Sequence, residues 1–195
     1  DKGIGIDSSA KMLKLARRNV NNPNWRFIKS DIIRMPFKNN SFDMAVSFKL
    51  LLHFNLNERK KAYKEVKRVL KKNSLFIFDI GNKNYKKPKL IKSLLIMYRI
   101  FFKSKQDSIL LPKIYNTSTT RKELVDELRK SDFSVINIYG LHYHASLVLF
   151  LLSLSKRVKF LSKHIKNYLI FLEKKNQKNI DKYGSFIVLA ENEKN

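Results

Sequence analysis

Short apolar runs that alternate with segments of helical period constrain this chain more than any other feature. That rhythm belongs to layered α/β folds, in which strands and helices interleave along the sequence. Gly3–Asp7 reads as the end of a strand, and Ser8 or Ser9 caps a helix with Met12, Leu13 and Ala16 on one face. Asn22-Pro23 stops that helix, Trp25–Lys29 is the next strand, and Asp31 lies in the loop behind it. A third strand over 42–48 follows the turn Lys38-Asn39-Asn40-Ser41, and a helix over about 57–70 points Ala62, Val66, Val69 and Leu70 inward. Residues 74–80 are almost continuously apolar, as expected of a strand covered on both faces. Thr120-Arg121-Lys122-Glu123 is a capping box that opens a helix to about Lys130. Residues 133–139 and 185–190 read as the last two strands, and no internal repeat is visible.

At 195 residues the chain is expected to form one domain with a real core. Its 44% hydrophobic content excludes a disordered polycation, which lacks the apolar surface to offset chain entropy. The absence of Cys removes disulfides, thiolate metal sites and cysteine nucleophiles, and four His make a His-rich centre a poor fit, so no metal is expected. No basic-then-apolar leader opens the sequence. The uncharged stretch 133–155 is interrupted by Asn137, Gly140, His142 and His144, which reads as a buried strand and a helix start rather than a membrane span. A cytoplasmic location is the expectation.

The formal net charge is +25, from 41 Lys plus Arg against 16 Asp plus Glu. Such an excess suits an anionic partner. It also suits AT-rich codon drift, since Lys outnumbers Arg threefold and Asn and Ile are each present 18 times. Residues 82–118 and 156–182 together hold +15 of that charge, outside the strand–helix rhythm. Each carries an amphipathic helical pattern. Ile91, Leu94, Leu95, Tyr98 and Phe102 share a face in the first; Val158, Leu161, Ile165, Tyr168, Leu169 and Leu172 share one in the second. Either is a solvated packed helix or a basic surface for an acidic membrane or substrate.

Chemistry concentrates at the strand ends. In doubly wound folds ligands gather outside the carboxyl ends of the strands, where an acidic side chain accepts hydrogen bonds from ribose hydroxyls. Asp7 occupies such a position, and Asp31 holds the equivalent one after the following strand, where a carboxylate accepts from an exocyclic amine.

The run Gly5-Ile6-Asp7-Ser8-Ser9-Ala10-Lys11-Met12-Leu13-Lys14-Leu15-Ala16 resembles the second-strand segment of class I S-adenosylmethionine-dependent methyltransferases. Asp31 with Met35-Pro36-Phe37 and Asn40-Ser41-Phe42-Asp43 resembles that family's stretch between third and fourth strands. The segment 47–54, with His53, resembles the family's stretch just beyond the fourth strand; Glu65-Val66-Lys67-Arg68-Val69-Leu70-Lys71 resembles the next helix, and 75–79 the fifth strand. The resemblance implies a Rossmann-like doubly wound α/β sheet and S-adenosyl-L-methionine as cofactor. It implies that Asp7 with neighbouring Ser8 meets the donor ribose, that Asp31 holds the adenine amine, and that the Ile32 backbone faces the adenine. Ser47 and Phe48 would pass the methionine end, and His53 would lie on the substrate side, where an imidazole can take a proton.

Lys71-Lys72-Asn73-Ser74 stands where the family has Lys-Pro-Gly-Gly, and Ser131-Asp132-Phe133 where it has Ala-Gly-Phe. Asn tolerates the turn conformations Gly supplies. The family's first strand and Gly-rich turn should precede Gly3, yet glycines 3, 5, 81, 140 and 184 form no such loop. The expectation is therefore an N-terminally truncated sequence, short by about 40 residues or more, the size of one βα unit with its loops.

The expected organisation is a single methyltransferase domain over 1–195, with an incomplete cofactor-binding half at 1–82. Helical insertions at 83–118 and 141–183 would cover the substrate side. The expected function is methyl transfer to a small-molecule substrate of amphipathic or lipid-linked character, with a peripheral acidic membrane as a fitting partner. Nucleic acid fits less well because Arg is scarce. The alternative is a non-catalytic basic binding module of the same fold, contacting RNA or an acidic membrane surface. The sequence leaves the oligomeric state open.

Overall fold

The structure, a computed structural model, describes residues 2–85, 117–143 and 183–193, of which 141–143 are described as backbone only. Both amphipathic patterns expected at 91–102 and 158–172 lie outside the described residues. The described elements are β1 (Gly3–Asp7), α1 (Ala10–Asn19), β2 (Trp25–Lys29), β3 (Phe42–Ser47), a 3-10 turn (Leu51–His53), α2 (Leu56–Val69), β4 (Leu70–Asn82), β5 (Ser118–Thr119), α3 (Arg121–Arg129), β6 (Phe133–Tyr143) and β7 (Tyr183–Asn192).

Local chemistry accounts for the helix starts. Ser9, not Ser8, is the N-cap of α1, and its side chain accepts the Met12 N–H. Asn55 and Glu58 form a reciprocal capping box on α2, as Thr120 and Glu123 do on α3. On α2 the residues expected inside are buried, joined by Tyr63 and Arg59. On α1 only Leu13 is buried; Met12, expected beside it, is 52% exposed.

The strands form two sheets where one was expected. β1 and β2 pair in parallel, from Gly3 against Trp25 to Asp7 against Lys29. The larger sheet runs β3–β4–β7–β6, with β3 parallel to β4, β7 antiparallel to both its neighbours, and β5 paired to the end of β4. Among the described residues no strand joins β1 to β3. Within the small sheet the close approach of glycines is required: a Cβ on Gly3 would meet the Trp25 ring at 2.7 Å, and one on Gly5 the Phe27 ring at 2.7 Å.

β4 is longer than the expected 74–80. Its register against β3 jumps from Leu70 opposite Phe42 to Leu75 opposite Met44. Asn73, inside that jump, is left-handed at φ 58°, and Asp132 before β6 is left-handed at φ 55°. Both departures from the resembled family therefore hold Gly-like backbone without Gly. The core lies on the large sheet, where Leu51, Tyr63, Val66, Phe76, Phe78, Ile80, Leu124, Phe133, Phe186 and Val188 are buried. Tyr63, Phe76 and Phe78 meet ring against ring at its centre.

Candidate active site

Parallel pairing of β1 and β2 ends both strands on one side and so brings the two acidic residues to a common edge. Asp7 pairs with Lys29, and the next residue, Ser30, donates its N–H to the Asp7 carbonyl at 3.1 Å. Each carboxylate steadies its own turn with one oxygen. Asp7 Oδ1 accepts the Ser9 N–H at 2.7 Å, and Asp31 Oδ1 accepts the Ile33 N–H at 3.1 Å. Asp7 is half-buried, and Asp31 and Ser8 are exposed. Ile32 is buried at 7% exposure and packs into the core of the large sheet.

The remaining expected site residues lie at the carboxyl end of the large sheet. Ser47 closes β3, with its Oγ buried and without a hydrogen-bond partner among the described residues. Phe48 follows at 51% exposure, and exposed His53 ends the 3-10 turn. Leu51 and Leu52, fully buried beneath it, anchor that turn, and Thr117 Oγ1 donates to the Leu52 carbonyl at 2.8 Å.

Three charged groupings supporting this edge escape a reading of the sequence. Asp79, wholly buried on β4, accepts the Lys49 N–H at 2.6 Å and faces Lys49 Nζ at 3.3 Å. It thereby holds Lys49 in the left-handed region at φ 59°, which turns the chain between Phe48 and the 3-10 turn. Its signal was the single acid inside the apolar run Leu75-Phe76-Ile77-Phe78-Asp79-Ile80. Arg59, buried on α2, binds Glu127 of α3 through two hydrogen bonds of 2.7 and 3.0 Å and donates to the Phe54 carbonyl at 3.2 Å. Burial works against the charge on Arg59, but Glu127 outweighs it and holds the guanidinium above its ordinary pKa. Glu65 and Arg68 of α2 pair with each other and grip the loop after β2.

Comparison with known proteins decides the family. The sequence profile described as "Methyltransferase domain" matches residues 2–78. An uncharacterised protein of Methanocaldococcus jannaschii is 30% identical over 184 residues, covering 86% of this chain and 70% of that protein. A ubiquinone/menaquinone biosynthesis C-methyltransferase of Campylobacter jejuni is 27% identical over 151 residues, 73% of this chain and 62% of that enzyme. A solved S-adenosylmethionine-dependent methyltransferase from Methanosarcina mazei superposes with a TM-score of 0.58 at 19% identity, covering 98% of this chain and 82% of that one.

The chain belongs to the class I S-adenosylmethionine-dependent methyltransferases. Its cofactor is S-adenosylmethionine, and its strand–helix order is the α/β fold of that family. The donor set of the small sheet fits the adenosine part of this cofactor. The second oxygens of Asp7 and Asp31 carry no hydrogen bond among the described residues, and each is an acceptor matched to hydroxyl or amine donors. Among the described residues, no group of three or more His, Cys, Asp or Glu side chains could hold a metal ion, and no helix is long and apolar enough to cross a membrane.

Proposed function

We propose that this methyltransferase passes the methyl group to a small amphipathic or lipid-linked acceptor. The observation that carries the reading is the register of β1 and β2, which sets Asp7 and Asp31 on adjacent strand ends with an acceptor oxygen each to spare. Asp7 with Ser8 binds the donor ribose, Asp31 takes the adenine amine, and the Ile32 backbone lines the ring. Ser47 and Phe48 bound the methionine end. When bound, the donor supplies an electrophilic methyl on a sulfonium, so the protein's contribution is alignment and exclusion of water. A ring nitrogen of His53 takes the acceptor's proton. Support for an apolar acceptor comes from the Campylobacter relative, whose name places it in ubiquinone/menaquinone biosynthesis, and from the mixed apolar and basic sequence of 83–118 and 141–183.

The same reading supplies a strand between β1 and β3. One inserted there would complete a single sheet in the order β2–β1–new–β3–β4–β7–β6 and cover the exposed Met44 and Val46 of β3. In the resembled family the strand at that place carries the Gly-rich turn for the methionine end.

Isothermal titration of the full-length protein with S-adenosylmethionine tests the function. Micromolar binding weakened about tenfold or more by Asp7→Ala or Asp31→Ala is expected, since a hydrogen bond to a charged group contributes about 1.5–3 kcal/mol. Absence of binding at millimolar donor refutes it. The second reading, a basic binding module, draws on exposed Lys11 and Lys14 of α1 and Lys60, Lys61 and Lys64 of α2, which have no acidic partner among the described residues. Sedimentation with acidic liposomes and an RNA gel shift at two salt concentrations separate it from the first.

A further inference from the structure

The loop after β2 carries the proposed adenine contacts, yet it is held by the large sheet's helix rather than by its own small sheet. Asp31 opens a tight turn closed by the Arg34 N–H on the Asp31 carbonyl at 3.1 Å. One residue later α2 takes over. Glu65 Oε1 accepts the Met35 N–H at 2.7 Å, and Arg68 Nη2 donates to the Met35 carbonyl at 3.0 Å, so both backbone groups of Met35 are fixed by one ion pair. Arg68 Nη1 continues to the Phe37 carbonyl at 2.6 Å and Asn39 Oδ1 at 2.9 Å, while Nε and Nη2 bind Glu65 at 2.9 and 2.7 Å. All five guanidinium N–H groups are thereby used, a geometry that a lysine ammonium cannot reproduce. Buried Val66 and Val69 fix that stretch of α2 against the core, so the grip is anchored on the rigid part of the molecule.

We propose that Glu65 and Arg68 are positioning residues for the donor's purine: they set the path of the loop and thereby the place of the Asp31 carboxylate and the Ile32 backbone. Neither touches the cofactor. The inference rests on the reading of Asp31 as the adenine-amine acceptor. Its distinguishing consequence is in purine selectivity rather than in affinity alone. An adenine amine donates to Asp31, whereas the oxygen at the same place in hypoxanthine meets the carboxylate with a lone pair. A general loss of stability lowers affinity for both purines alike; a displaced Asp31 weakens the adenosine form and spares the inosine form, so the preference between them falls.

The test measures binding of S-adenosylhomocysteine and S-inosylhomocysteine to the full-length protein and to folded Glu65→Ala, Glu65→Gln and Arg68→Lys variants, with thermal melts as the folding control. The wild type is expected to prefer the adenosine form by about tenfold or more. In Glu65→Ala and Arg68→Lys the preference should fall below about threefold. Glu65→Gln, which keeps an acceptor oxygen for Met35, should retain most of it. Amide exchange at Met35 without any ligand should quicken in Glu65→Ala. A variant with faster Met35 exchange but an unchanged preference overturns the positioning role while the function stands. A wild type that binds both purines equally overturns the Asp31 assignment and this inference with it, and one that binds neither overturns the donor site altogether.

Discussion

Truncating Glu127 should destabilise the protein far more than a surface acid would, and the size of the effect follows from its surroundings. The Arg59 and Glu127 side chains are only 5% and 11% exposed, and two hydrogen bonds of 2.7 and 3.0 Å join them across 68 residues of sequence. In Glu127→Ala the guanidinium keeps the Phe54 carbonyl but loses its counter-charge in a place water scarcely reaches. Removing one partner of a buried pair costs about 3–5 kcal/mol, and the slight exposure of Glu127 puts this case near 3. Arg59→Met should cost a comparable amount. The double variant Arg59→Met/Glu127→Leu removes both charges and fills the space with apolar volume, so it should lie within about 1 kcal/mol of the wild type. The assay is urea denaturation of the four proteins at neutral pH, with equal m-values confirming that the compared states are the same. Repeating it in 1 M salt should leave the single-variant losses nearly intact, since a buried pair is poorly screened. Single costs below about 1 kcal/mol, or a double variant whose loss is the sum of the singles, would refute the claim that the pair is buried and mutually dependent.

Glu65 gives a pH signature: the Arg68 hydrogen bond, opposed by burial and aided by the Met35 N–H, depresses its pKa below the ordinary 4.5. Its stabilisation is therefore complete above pH 4.5 and lost as pH falls through the depressed value, so the urea-midpoint gap between wild type and Glu65→Gln should shrink in acid; a gap independent of pH contradicts this. Asn73→Val, which forces a β-branched residue to φ 58°, should cost about 1–2 kcal/mol in thermal melts, whereas Asn73→Gly should cost nothing. Amides of β1 and β2 should exchange faster than those of β4 and β7, because the small sheet has two strands and β4 is paired on both sides; equal protection would show the two sheets opening together.

Period and capping made most of the fold legible. The Thr120–Glu123 box, the inward row Ala62, Val66 and Val69 on α2, and the strand Trp25–Lys29 stand where the pattern puts them. Two kinds of feature were hidden for definite reasons. The longer β4 was masked by Lys71, Lys72 and Asn73, polar residues that the jump in register leaves exposed and that therefore read as a turn. The ion pairs were masked because periodicity reports burial, not pairing. Arg59 occupies a helical position facing the core, and its partner lies in another helix. Of the site, the two acids were legible as equivalent positions at successive strand ends, and the parallel register of β1 with β2 is what sets them on a common edge.

The division of the sheet gives the loop 31–41 a weight that its length alone would not suggest. Asp7 and Asp31 belong to the small sheet, whereas Ser47, Phe48 and His53 belong to the large one. A donor reaching from adenine to sulfonium has to span both, so the distance between the halves sets whether one ligand can be held at both ends. The loop joins them with Ile32 buried in the large core, Met35 and Phe37 held by α2, and Asn40 and Ser41 donating to the Arg68 and Val69 carbonyls at 3.0 and 2.7 Å. With no strand between β1 and β3 among the described residues, these bonds tie the adenosine half to the core. A strand placed in that gap would share the task, so the damage that loosening Arg68 does to donor binding measures how far these bonds alone hold the two halves together.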